Sequence, residues 1–157
     1  RKTALFAAAL TLGAVAALVA VPAVTTAEAS PEGVVKYRQL VMKAVGAHMG
    51  GIGAILKGEV SYGPNHIEEH AGSIADMAEL LEDAFRENVG TTGGETAAKQ
   101  EIWSDWDDFV AKAKGLEEAA EALAEIAEGG DMAAIGAGMK ALGGACGACH
   151  TPFRVKK

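Results

Sequence analysis

Apolar residues recur along most of this chain in steps of three and four, the period of one face of an α-helix. Four segments carry the rhythm. Segment A runs from about Pro31 to Lys57, with Val34, Val41, Val45, Met49, Ile52 and Leu56 on its stripe. Ser30 is placed to cap it, and Pro31 suits a first helical turn. Segment B spans about His66 to Asn88; Ile67, Ala71, Ile74, Ala78, Leu81 and Phe85 form one buried stripe, and Asn65 with Glu68 has capping-box spacing. Segment C, about Ala98 to Glu128, keeps the same step from Ile102 through Trp106, Phe109, Ala113, Leu116, Ala120 and Leu123 to Ala127. Segment D follows Asp131, a good cap, through Ile135, Met139, Leu142, Cys146, Cys149 and Phe153. Gly58 to Pro64, residues 89 to 96 and Gly129-Gly130 break the pattern, and alternating strand-like runs are scarce. Four amphipathic segments on short links predict an all-α fold, an antiparallel four-helix bundle with left-handed packing at a shallow angle.

The first residues stand apart. Arg1 and Lys2 precede an apolar run from about Ala4 to Val24, and Ala27-Glu28-Ala29 has the small-x-small form of a cleavage site. This predicts a signal peptide over residues 1–29, a bundle domain over 30–157, export to the periplasm and no stable membrane insertion after cleavage. An uncleaved anchor is the rival, since the run is about long enough to span a bilayer. The whole chain has a net charge of −7, and losing Arg1, Lys2 and Glu28 makes it −8. That charge disfavours nucleic acid and anionic lipid and suits a basic partner, or serves only solubility.

Both cysteines lie in GGACGACHTPFR, residues 143 to 154, with His150 directly after the second. Three chemistries use such spacing. A redox dithiol sits at a helix N-terminus, where the dipole lowers a thiol pKa; here the pair lies in the last turns of a helix. Structural zinc needs four ligands, and Cys146, Cys149 and His150 provide three, with the His66–His70 pair a distant supplement. Covalent haem uses all three residues: two thiols become thioethers, and the adjacent imidazole binds iron. The prediction is one haem c per chain, attached through Cys146 and Cys149 and ligated by His150.

The late C146-G-A-C-H150 motif, together with YRQLVMK at 37–43, GAILKGE at 53–59, EIW at 101–103 and FR at 153–154, resembles the class II c-type cytochromes, cytochrome c′ and its low-spin c-556 relatives. The resemblance covers the whole chain after the leader. It implies a role in electron transfer or gas binding and segment A crossing the distal haem face. It also implies a variable distal residue four after an arginine, here Met42 after Arg38. Arg38 would then meet a haem propionate. The expectation from these positions is Met42 as sixth ligand, giving a low-spin electron carrier; the alternative is a five-coordinate iron open to NO or CO. Gly46 would admit the ring closely, and His48 would stand at its rim. Arg154, four after His150, would lie beside the proximal imidazole. Relatives of this class imply a possible homodimer through segments A and B, and redox partner proteins of unstated identity. No catalytic constellation is evident, so the expectation is a carrier or binding protein, not an enzyme. Gly136, Gly138, Gly143 and Gly144 in one helix predict close backbone approach to haem or to a neighbouring helix.

Overall fold

The computed structural model describes residues 29–90 and 92–156. The leader expected over residues 1–29 lies, all but Ala29, outside them. Among these residues, four long helices and one short one follow in order: α1 (Pro31–Leu56), α2 (Pro64–Arg86), α3 (Glu101–Ser104), α4 (Trp106–Glu128) and α5 (Met132–Phe153). α2 packs against both α1 and α4, and α4 against α5. This is the four-helix bundle, with α3 inserted in its long crossing loop.

The caps explain the boundaries. Ser30 accepts from the Gly33 amide at 3.1 Å, and Asp131 accepts from Ala133 and Ala134, each serving a helix start whose amides have no intrahelical partner. α2 starts otherwise than predicted. Gly63 is its N-cap and Pro64 its first residue, while Asn65 faces His66 at 3.2 Å, so the Asn65–Glu68 capping box does not form. Proline, whose missing amide costs nothing in a first turn, wins the position. Gly58 and Gly130 take φ of 70° and 72° and turn the chain out of α1 and α4.

Segment C also divides. Asp105, at φ −131° and ψ 54°, breaks it between α3 and α4. Residues 97–99 are not helical at all. Ala98 bridges Arg154 in antiparallel fashion, with Lys99 N donating to Phe153 O at 3.0 Å and Val155 N to Ala97 O at 2.8 Å. Lys99 Nζ adds a bond to Pro152 O at 3.0 Å. The crossing loop thus ties down the end of α5.

The core follows the stripes of α2 and α4 as expected. Ile52, Ile67, Ile74, Ile102, Leu123, Ile135 and Leu142 are its largest fully buried side chains. Each contributes about 1.5–3 kcal/mol by leaving water. The register of α1 differs from the prediction. Val35, Arg38, Val41, Val45, Ile52 and Ile55 face inward, whereas Val34 and Leu56 are only half-buried. An arginine occupies a core position, so apolar spacing alone misplaces the stripe. Of the five glycines in α5, only Gly138 meets a neighbour: a β-carbon there would stand 3.0 Å from Leu123 Cδ1 on α4. Gly136, Gly143 and Gly144 are exposed and approach no neighbouring helix.

Candidate functional site

α1 and α5 do not pack on each other as the other neighbours do; a cavity of about 1230 Å³ lies between them. α5 contributes Ala145, Cys146, Cys149, His150 and Phe153 to its wall. The i, i+3, i+4 spacing of Cys146, Cys149 and His150 puts them on one helix face. That face is turned inward because Ile135, Gly138 and Leu142 anchor the same side of α5 against the core. The opposite wall is α1, with Met42, Val45, Gly46 and Met49. The floor is apolar, formed by Leu81 and Phe85 of α2 with Phe109, Ala113 and Leu116 of α4. The crossing loop closes one end through Gly93, Glu95 and residues 96–98. Gly93 is required there, since a β-carbon would collide with Pro31 O and press on the Val35 side chain. This loop wall was not legible in the sequence, because aperiodic residues carry no signal of what they cover.

The chemistry of the three residues separates the alternatives. Burial raises both thiol pKa values; near Cys149 the Lys112 charge pulls the other way but does not prevail. A redox dithiol needs the reverse, a stabilised thiolate. Among the described residues, no three His, Cys, Asp or Glu side chains come together as metal ligands do, which leaves zinc without a site. Burial lowers the pKa of His150, and the Arg154 guanidinium lowers it further, so the imidazole is held in the neutral form that binds iron. Arg154 is tied to His150 through the backbone, its amide donating to His150 O at 3.1 Å. A roomy apolar cleft, two half-buried thiols and a neutral imidazole on one wall, and a glycine with open space before it on the other fit a flat macrocycle joined to α5.

Arg38 lines the cavity, but it is also buried, at 3 % exposure. Its Nε donates to Ala84 O at 2.8 Å and its Nη2 to Glu87 O. The guanidinium lies between the rings of Phe85 and Trp103, 5.2 and 5.1 Å from their centroids. Trp103 Nε1 donates to Phe85 O at 2.7 Å. Arg38 and Trp103 therefore satisfy the carbonyls that the end of α2 leaves without helical partners. Burial lowers the Arg38 pKa, partly offset by the Glu87 carboxylate. This fastening role is additional to the propionate contact expected for Arg38. His48 is not at the cavity rim as expected; it faces His70 at the seam of α1 and α2.

A sequence profile of the family described as Cytochrome C′ matches residues 33–154. The chain is 44% identical to cytochrome c′ of Rhodospirillum rubrum over 142 residues, covering 89% of this chain and 95% of that one. It is 39% identical to cytochrome c-556 of Agrobacterium tumefaciens (strain apple 185) over 121 residues, 76% of this chain and 93% of that one. Among solved structures, cytochrome c prime from Shewanella frigidimarina superposes with a TM-score of 0.71 at 27% identity, covering 81% of this chain and 98% of the other. A nitric oxide complex of a variant cytochrome c prime from Alcaligenes xylosoxidans superposes at 0.70 with 30% identity, over 82% and 98%.

Proposed function

Because the chain belongs to the cytochrome c′ family, whose members bind haem c covalently, we propose that it holds a haem with an open distal position and binds small gases such as nitric oxide there. The observation that carries this reading is the distal wall: Met42, Val45, Gly46 and Met49 present apolar surface, with α1 held off α5 by the cavity. Bound haem c supplies a one-electron redox centre and a coordination position for a diatomic ligand. Cys146 and Cys149 would hold it as thioethers, and His150 would give its neutral nitrogen to the iron. Arg38 has guanidinium N–H groups beyond the two it gives to backbone carbonyls, and these would meet a propionate at the cavity edge. The stronger match to cytochromes c′ than to the c-556 proteins, and the nitric oxide complex among its structural neighbours, support this order. It reverses the preference that Met42 alone suggested.

The second reading keeps Met42 on the iron, giving a low-spin electron carrier. It rests on Met42 lining the cavity, half-buried, one turn from Arg38. Optical spectra separate the two. The open-site reading expects a high-spin oxidised spectrum, CO binding by the reduced wild type, and the same spin state in Met42→Ala. A sulfur-to-iron charge-transfer band in the oxidised protein, abolished in Met42→Ala, together with CO binding only in that variant, would overturn it.

Export through the leader to the periplasm belongs to the same reading. The protein from a host that matures c-type cytochromes would then have the mass of a chain starting at Ser30 plus one haem. Tyr37, Leu40 and Leu80, exposed on α1 and α2, support self-association through those helices.

A further inference from the structure

His48 on α1 and His70 on α2 meet Nδ1 to Nδ1 at 2.9 Å, with ring centroids 5.2 Å apart and planes at 65°. Both rings are half-buried, and neither lines the cavity. Two imidazole nitrogens this close either share one proton or share one cation, because two protonated rings repel. The position of His70 is prepared by its neighbour. A β-carbon at Gly51 would lie 2.6 Å from His70 Nε2 and 3.0 Å from its Cε1, so only glycine lets that ring rest against α1 with Nδ1 toward His48.

We propose that His48 and His70 form a binding site for a divalent first-row transition-metal ion of the Cu²⁺ type, separate from the haem. Imidazole nitrogens bind such ions at roughly 2.0–2.1 Å. Two of them at right angles around one ion stand about 2.9 Å apart, against roughly 3.4 Å in a tetrahedron. The observed separation, that of two nitrogens sharing a proton, also matches cis ligands in the tetragonal geometry Cu²⁺ prefers, and Cu²⁺ leads the affinity order for such ligands. Among the described residues, no third His, Cys, Asp or Glu joins the pair, so water completes the coordination. His66, one turn before His70, stacks on Tyr62 at 4.6 Å and has its Nδ1 on Asn65, which marks it as the control.

The test is titration of the mature holocytochrome with glycine-buffered Cu²⁺ by calorimetry, with electron paramagnetic resonance at one equivalent. One ion per chain is expected, with coupling to two imidazole nitrogens. His48→Gln and His70→Gln should each weaken binding at least about tenfold, and His66→Gln should leave it within roughly twofold. The haem spectrum should be the same in all three. Gly51→Ala, which displaces the His70 ring but keeps both histidines, should also weaken binding. Absence of stoichiometric binding, fewer than two coupled nitrogens in the wild type, or loss in His66→Gln with retention in His48→Gln would each overturn the site. The nitrogen count needs no variant, so the proposal stays testable if a substitution prevents folding.

Discussion

Arg38 is the charged side chain that the described fold takes out of water, and its surroundings say why it is tolerated. A buried cation without partners would be costly, but this one ends on carbonyl oxygens at the end of α2, where the helix dipole is negative. Phe85 and Trp103 cover its faces. Arg38→Ala would leave the Ala84 and Glu87 carbonyls unsatisfied and a gap between two aromatic rings. Denaturant unfolding of the holocytochrome should then show a loss of about 2–4 kcal/mol. Arg38→Lys, with one ammonium in place of a fork, should restore less than half of it. A loss below about 0.5 kcal/mol would mean that Arg38 does not fasten α2. The same arginine limited what could be read from sequence. A charge on the core stripe displaces the apparent register of α1 toward Val34, and its role depends on residues more than forty positions away.

At the level of elements, legibility followed locality. α2 and α4 were readable because their apolar step is unbroken, and the cysteine–histidine motif was readable because all its parts lie within one turn and a half. The break at Asp105 and the bridge from Ala98 to Arg154 were not, since each depends on contacts between distant segments. The glycines of α5 put this to a quantitative test. Gly136 approaches nothing, so Gly136→Ala should stabilise by up to about 1 kcal/mol through helix propensity. At Gly138 a methyl group would press on Leu123 Cδ1 at 3.0 Å and Ile126 Cδ1 at 3.3 Å. Overpacking there costs about 1–3 kcal/mol and should outweigh the propensity gain. Thermal unfolding of the two variants should therefore move in opposite directions. Two shifts of the same sign would mean that the α4–α5 contact is slack enough to absorb a methyl group.

For the whole molecule, net charge and local charge point in opposite directions. The chain carries −7, which by itself predicts attraction of cationic reagents and partners. The cavity that would hold the haem is bordered by Lys36, Arg38, Lys43, Lys112 and Arg154, against Glu32 and Glu95. Lys112 is paired with Asp108 at 2.9 Å, and Arg38 is turned to carbonyls. Among the described residues, Lys36 and Lys43 pair with no carboxylate, and both are exposed at the rim. Distance decides between the two fields. At about 0.1 M salt the Debye length is roughly 10 Å, so a small reagent at the rim responds to those lysines more than to the acidic far side. At about 0.01 M it is roughly 30 Å, and the whole charge acts. Oxidation of the reduced protein by ferricyanide, followed by stopped flow, should therefore be slowed by the net charge at low salt and recover as salt rises. At about 0.1 M salt, Lys36→Glu with Lys43→Glu should slow it by roughly threefold or more. A cationic cobalt complex should be accelerated by the same double substitution. If neither reagent responds to the substitution at that salt, electrons do not pass through this rim, and the route to the haem lies elsewhere on the bundle.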